Sequence, residues 1–386
     1  MKNKYRFGDL LFPVAVAIKD AKDSPYDKFV GLEHYDSLEP VISRYTDTSL
    51  LSSSVKEFHA GDMLIARRNV YLRRAGLAIF DGLTSGDSIV LRLKDEYEMP
   101  KGIDRSILSR ILPFVLNSDN FWIYANKHAD GMNSKRISID NLLNYEFALP
   151  SFADQKILAD KLWAAYEVKQ SYLRMIEATE KMVKSQFIEM FGDPMENDKL
   201  WPEFRDINEV ADIVLGSTPD SRNTAYWDGD VRWITPAEMT ENSYYIYDTE
   251  RHITEEGRRA ANLTMLPEGT ILFSTRAPIG KVGIVGKEMC CNQGFKNFVC
   301  KEKINNVFLY YTLKFKKDYL CSLGTGTTFK ELSKRTVESL KIAVPPMEQQ
   351  KKFETIYNQA DKSEFELKKS IEAIDKVIKS LINENM

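Results

Sequence analysis

Four arginines fall within eight positions, Arg67, Arg68, Arg73 and Arg74, with Tyr71 among them and no acidic residue between. Guanidinium groups make paired hydrogen bonds to guanine edges and to phosphate, so a cluster of this kind suits contact with nucleic acid. The plainer alternative, arginines on a hairpin that are solvated or bound by neighbouring carboxylates, fits any one of them better than it fits all four. In the second half Arg276 and Lys281 flank Pro278-Ile279-Gly280, and Asn292-Gln293-Gly294 follows, with carboxamides suited to adenine edges. Two polar loops add Asn133, Lys135 and Arg136 in Gly131–Arg136, and Thr327, Thr328 and Lys330 in Gly324–Lys330. Their amides and hydroxyls can hold phosphate or form an ordinary turn. Trp227, Trp233, Tyr226 and Tyr244-Tyr245 read as core or hairpin packing rather than as base-stacking platforms.

Other chemistries find no residues. Gly280-Lys281 lacks both the upstream glycine and the following Ser or Thr of a nucleotide-binding loop, so ATP chemistry is not encoded. No Asn-Pro-Pro-Tyr or Asp-Pro-Pro-Tyr segment for amino-methylation occurs, and Asp193-Pro194 is followed by Met195. His34, His59, His128 and His252 are scattered without metal-ligand spacing, and Cys290, Cys291, Cys300 and Cys321 show no C-x-x-C pair. The expectation is therefore no metal, no catalytic residues and reduced intracellular thiols. Carboxylates are plentiful without forming a recognisable constellation.

The elements that must position these residues are organised as an internal repeat. Gly131 and Gly326, Lys135 and Lys330, Ser138 and Ser333, Pro150 and Pro345, and Gln155-Lys156 and Gln350-Lys351 all match at one offset, the 195 residues separating the first pair. The register continues without a gap through Ile176-Glu177-Ala178 and Ile371-Glu372-Ala373. Upstream the halves match more loosely, Gly61 facing Gly269 as tight-turn residues that lead into a strand. A chain of 386 residues, 43% hydrophobic and 28% charged, has room for two such domains.

Between Pro150 and the Gly192-Asp193-Pro194 stop, a stretch free of Gly and Pro predicts one long helix, from about Gln155 to Phe191 and ~55 Å in length. Its apolar seam runs through Leu158, Leu162, Tyr172, Ile176 and Val183, and the second copy gives Phe353, Tyr357, Leu367, Ile371 and Ile378. Lys169, Thr179, Gln186 and Glu364 interrupt the two seams. Burial of one seam on the other, as an antiparallel pair, is the simplest outcome; a coiled-coil dimerisation arm is the alternative. The domains preceding each helix read as mixed α+β, with strands at Met63–Ala66, Gly76–Phe80, Ser88–Leu93, Thr270–Ser274 and Val282–Val285. One helical stretch each is expected near Arg105–Tyr124 and Val307–Leu323.

A formal charge of −3 does not announce a nucleic-acid binder, so such a role must rest on local charge or on partners. Lys2, Lys4 and the apolar Leu10–Ile18 imitate a secretory signal, but Asp9 and Pro13 interrupt it and the repeat places it inside a domain. No apolar run approaches the ~20 residues of a membrane span.

The Pro150–Lys156 and Pro345–Lys351 helix starts, the paired Ile-Glu-Ala helices, Phe191-Gly192-Asp193-Pro194, Ile271–Gly283 with Thr275-Arg276, and Asn292-Gln293-Gly294 together resemble the type I restriction-modification specificity subunit over essentially the whole chain. The resemblance implies an α+β architecture: two globular mixed α/β target-recognition domains separated by two long conserved helices forming an antiparallel coiled coil, with an internal pseudo-two-fold repeat. The expected boundaries are 1–150 and 193–345 for the domains and 151–192 and 346–386 for the helices. It further implies a cytoplasmic protein that is not itself an enzyme. Each domain would read one half of a split double-stranded DNA target. Two methylase subunits using S-adenosylmethionine, and through them restriction subunits using ATP and Mg, would dock on the helices. The first copy departs from the pattern, having Thr84-Ser85-Gly86 where the second has Asn292-Gln293-Gly294, so a shared role for those residues does not follow. Two rivals stand beside this reading, a stand-alone nuclease with tandem DNA-binding domains and a coiled-coil scaffold with no DNA ligand.

Overall fold

The computed structural model describes residues 3–19, 21, 24–48, 54–132, 134–276, 278–326 and 330–386. They form two compact units. Unit 1 comprises Met1–Arg174 together with Leu367–Met386, and unit 2 comprises Met175–Glu366.

The centre of unit 1 is a five-stranded sheet in the order Leu11–Val14, Ser88–Leu93, Met63–Ala66, Ala75–Ala78 and Val41–Ile42. The first three pairings are antiparallel and the last is parallel. All four residues of Met63–Ala66 are buried, which requires cover on both faces because side chains alternate along a strand. Met63 and Ile65 pack with the helical residues Leu108, Ile111, Leu112, Phe121 and Trp122. Leu64 turns the other way, toward Val30, Phe58 and Val90. A second five-stranded sheet, with Gly82–Ser85 at its centre between Val55–Phe58 and Lys28–Val30, supplies Phe58 and Val30 to that cluster.

Unit 2 repeats the central sheet strand for strand: Ala211–Leu215, Lys296–Cys300, Ile271–Phe273, Val282–Val285 and Tyr245–Ile246, with the same three antiparallel pairings and the same final parallel one. The alternation also repeats, Ile271 and Phe273 joining the helical side and Leu272 the opposite cluster. Gly61 and Gly269, ahead of matching strands, both have positive φ, +96° and +83°, a conformation that a Cβ disfavours. Each unit also pairs two strands near the start and end of its domain, Asn3–Arg6 with Glu146–Leu149 and Phe204–Asp206 with Lys341–Ala343; the units differ in the third sheet, which in unit 2 has three strands built on Trp227–Ile234 among the described residues.

Each expected helical stretch is broken in two, giving Arg105–Val115 and Asp119–Lys127 in unit 1 and Asn306–Phe315 and Lys317–Ser322 in unit 2. In unit 1 the physical reason is a cap: the Ser118 hydroxyl accepts from the Phe121 amide and starts a new helix. The offset-matched Ser138 and Ser333 cap short helices in the same way, accepting from Asn141 and Thr336.

The long helices span Phe152–Phe191 and Met347–Asn385, and each contributes residues to both units. The glutamines of the repeated helix starts explain themselves: Gln155 and Gln350 are buried and donate to the carbonyls of Pro150 and Pro345 five residues earlier. Within unit 1 the helices run antiparallel. Leu158 and Leu162 are buried with Phe114 and Ile382, Ile378 packs at the edge of that cluster, and Lys169 pairs with Asp375. The Lys169 ammonium also meets Glu39 at 2.5 Å. Burial works against its charge, but the two carboxylates outweigh that and raise its pKa. Within unit 2 Val183, Phe353 and Tyr357 share a core with Phe187 and Phe191, whose rings lie 5.0 and 5.8 Å from that of Phe353. Tyr172, Ile176, Leu367 and Ile371, in the middle stretches, are only half-buried. Among the described residues no helix is long and apolar enough to cross a membrane.

Candidate nucleic-acid interface

The two loops singled out in the first half of the sequence are one structure. The Asn69 amide donates to the Lys135 carbonyl, the Ile137 amide to the Arg67 carbonyl, and Arg68 and Arg136 form an antiparallel bridge. Asp130 bridges Arg136 from the other side. Asn69 and Arg73 bracket the short 3-10 turn Val70–Leu72 in left-handed conformations, φ 56° and 52°. The chain thereby turns tightly between strands Met63–Ala66 and Ala75–Ala78.

The four arginines end in different places. Arg68 donates from Nε to the Ser134 hydroxyl at 2.9 Å and lies 3.7 Å from Asp87. Exposed Arg136 also faces Asp87, at 3.5 Å. Arg73 is ion-paired with Asp119 at 2.9 Å. Arg74 donates to the carbonyls of Leu32 and Arg68, so its guanidinium holds the loop together. Arg67 is half-buried, and its Nε has no hydrogen-bond partner among the described residues. Lys135 is exposed, and Asn133 lies outside the described residues. No acid separates these arginines in the chain, yet Asp87 and Asp119 reach them from other elements.

Unit 2 carries the same clamp. Arg276 and Glu331 form the antiparallel bridge that Arg68 and Arg136 form in unit 1, with Thr325 bridging Glu331 as Asp130 bridges Arg136. The Thr275 amide donates to the Gly294 carbonyl as the Arg67 amide donates to that of Asp87, and the Leu332 amide donates to Thr275. Arg276 thus stands where Arg68 stands, and Glu331 where Arg136 stands. Gly131 and Gly326, at matched places in the second loop, have φ of +112° and +123°.

The side chains of the second clamp are arranged differently. Arg276 donates from Nε to Glu331 at 2.9 Å, and the ammonium of buried Lys296 reaches Glu331 at 3.3 Å and the Thr275 hydroxyl at 3.0 Å. Burial disfavours the Glu331 carboxylate, but hydrogen bonds and charge from Arg276 and Lys296 prevail and lower its pKa. Leu215, Gln293, Phe295, Lys296, Thr325 and Glu331 line part of an open cleft of about 580 Å³ beside this group. Lys281 is committed elsewhere, donating to the carbonyls of Pro236 and Met239. Asn292 closes its own turn by accepting from the Gly294 amide, while exposed Gln293 accepts from the Thr218 hydroxyl. Lys330 is exposed; Thr327 and Thr328 lie outside the described residues.

Trp233 is buried, and Trp227 meets it edge-on at 5.2 Å with the Arg251 guanidinium 3.9 Å above the Trp227 ring. Tyr244 packs against Tyr357 and donates to Asn358. Both groups are packing, as their sequence context suggests. Among the described residues no group of His, Cys, Asp and Glu is placed to hold a metal ion. Asp87, Lys296 and Glu331 were not singled out from the sequence as members of the clamps, and Ser134 only as part of the Gly131–Arg136 loop. The repeat offered a signal for Glu331, since it stands 195 positions after Arg136.

Residues 200–375 match the family described as the type I restriction modification DNA specificity domain. The chain is 36% identical over 178 residues to the type I restriction enzyme MjaIX specificity subunit of Methanocaldococcus jannaschii, a match covering 45% of this chain and 41% of that one. It is 26% identical over 278 residues to the putative type I restriction enzyme MjaX specificity subunit of the same organism, covering 68% of this chain and 63% of the relative. Both matches span less than two thirds of the relatives' own lengths. Among solved structures, the S subunit of a type I restriction-modification system from M. genitalium superposes with a TM-score of 0.58 at 13% identity, covering 99% of this chain and 95% of the other. A chain described under complex assembly and conformational transition of the type I R-M system gives the same TM-score at 18% identity, covering 99% and 97%. At these identities the likeness is one of fold: two mixed α/β domains with long helices.

Proposed function

We propose that this chain, whose residues 200–375 belong to the type I restriction modification DNA specificity domain family and which is related to the specificity subunits of type I restriction enzymes, reads a bipartite double-stranded DNA target. The observation that carries this reading is the duplicated clamp. Each unit joins two loops at the end of the same central sheet and presents one half-exposed arginine there, Arg68 or Arg276. Arginine suits guanine and phosphate alike, and two such sites on a repeated frame suit two half-sites.

In this reading the long helices set the unread spacer between the half-sites and offer docking surface to two methylase subunits, through which restriction subunits join. This chain contributes recognition and no bond-making step. S-adenosylmethionine, ATP and Mg belong to the partner subunits, and the complex works in the cytoplasm. Recognition consists of phosphate contacts that position the duplex and base-edge contacts that select it. Exposed Lys135, Arg136 and Lys330 are suited to the first, Arg68 and Arg276 to the second.

Selection of bound duplexes from a random-sequence pool, with the full chain co-expressed with an adenine methylase subunit, tests the proposal. The expected result is a split motif with a fixed spacer. Salt-sensitive retention without any motif would reduce the chain to a nonspecific binder, and no retention at all would favour the scaffold reading.

A further inference from the structure

The two clamps hold their arginines by the same atom. In unit 1 the Nε of Arg68 donates to the Ser134 hydroxyl, and in unit 2 the Nε of Arg276 donates to the Glu331 carboxylate, each at 2.9 Å. The partner comes in both cases from the second loop of the clamp, and the two arginines occupy matched places in the bridge pattern. No hydrogen bond involves the terminal amino groups of either arginine among the described residues, although Asp87 lies 3.7 Å from Nη1 of Arg68, and both side chains are half exposed.

A guanidinium held through Nε has less freedom to swing about its long side chain, so its outer edge, with two parallel N–H groups, is restrained before any ligand arrives. That outer edge is the one that matches the O6 and N7 acceptors of guanine. A free arginine would have to lose its rotamer freedom at the moment of binding, which weakens and blurs recognition.

We infer that Glu331 is a positioning residue that aims Arg276 at a guanine edge, and that Ser134 does the same for Arg68, one in each half-site. This deepens the DNA-recognition reading and rests on it. The matched position 136/331, an arginine in one unit and a glutamate in the other, then becomes a place where the two domains acquire different preferences. In unit 1 Arg136 leaves the aiming of Arg68 to Ser134, two residues earlier. In unit 2 Glu331 takes that task itself while also neutralising buried Lys296.

The test uses the full chain co-purified with its methylase subunit and a randomised duplex pool, comparing Glu331→Ala, Glu331→Gln, Arg276→Ala and the Glu331→Ala/Arg276→Ala double variant. Glu331→Ala should reduce discrimination at one guanine position of one half-site about tenfold, the scale of a single bidentate base contact. Glu331→Gln keeps an oxygen that accepts from Nε and should retain most of the preference. In the Arg276→Ala background, removing Glu331 should change the selected sequence no further. Because Glu331→Ala also strips a buried lysine of its partner, Ser134→Ala is the parallel variant that leaves no charge behind, and it should blur the other half-site alone.

Unchanged discrimination in both Glu331→Ala and Ser134→Ala would overturn the inference. So would a loss spread evenly over all sequences, which would mark the arginines as phosphate contacts, or a further effect of Glu331→Ala without Arg276. A wild-type complex that selects no motif would instead remove the recognition reading itself, and this inference with it.

Discussion

The ammonium of Lys169, on the first long helix, sits 3.0 Å from the carboxylate of Asp375 on the second, inside unit 1. With Glu39 at 2.5 Å, it turns an interruption of the apolar seam into a charged contact, its side chain only 13% exposed. Removing the lysine leaves two carboxylates facing each other across a partly desolvated space. We expect Lys169→Met to cost about 2 kcal/mol, less than a fully buried pair because Asp375 is half exposed. Urea unfolding measures it; a change below about 0.5 kcal/mol would mean that water, rather than Glu39 and Asp375, satisfies the ammonium.

Phe187 is fully buried between Phe191, Tyr311 and Phe353. Phe187→Ala should destabilise the protein by about 3–5 kcal/mol, the usual loss for an aromatic side chain in a packed core. On the same helix Met182 is half exposed, and Met182→Ala should stay within about 0.5 kcal/mol. Equal effects at the two positions would contradict the packing described.

The Asp119 carboxyl is held below its ordinary pKa first by a hydrogen bond from Lys379, with the charges of Lys379 and Arg73 adding to it. A depressed folded-state pKa means stability that is fully present above the unfolded value near 4 and is lost as pH falls through the lower folded one. Asp119→Asn should therefore be less stable than the wild type by about 1 kcal/mol at pH 7, the discount reflecting a side chain about one-third exposed. The gap should close between pH 4 and the acid limit of folding. A gap independent of pH would point to lost packing or helix capping instead.

Burial pushes the thiol of Cys290 up to about 11 and those of Cys291 and Cys300 up to about 12. Since the thiolate is the reactive form, iodoacetamide at pH 8 should label these three slowly in the native protein and rapidly in urea. Fast native labelling of Cys291 would show that its strand opens readily.

If the helices set the spacer, four residues inserted near Glu177 and matched in the second helix should lengthen the preferred spacer by the rise of about 6 Å and leave both half-sites unchanged. Random-pool selection with the variant reads this out, and an unaltered spacer would remove the ruler role.

The repeat, the long helices and half of the central strands were legible in the sequence because they follow from local signals: a constant 195-residue register, uninterrupted helix formers, and apolar runs such as Met63–Ala66. The broken helices were not, because the serine that restarts the chain at Ser118 acts through a single hydroxyl within an otherwise helical pattern. Phe187 and Phe191 extend the seam beyond Val183 at four-residue steps that a strict 4-3 count does not pick up. The fate of the basic residues was least legible. Arg74 and Lys281 resemble their neighbours in the chain, yet each is spent on backbone carbonyls supplied by remote segments. Asp87 and Asp119, which balance Arg68 and Arg73, come from other elements, and only the folded sheet brings them near.

Unit 1 is discontinuous, closed by Leu367–Met386, with Ile382 filling a cluster otherwise formed by Phe114, Leu158 and Leu162. On the ribosome those residues emerge only after all of unit 2 has been made. The unit that begins earlier in this sequence is thus closed later than the one that follows it, and until then Leu158 and Leu162 lack their contact with Ile382. Translation that stalls within unit 2 would leave Phe114, Leu158 and Leu162 without the Ile382 side chain that completes their cluster.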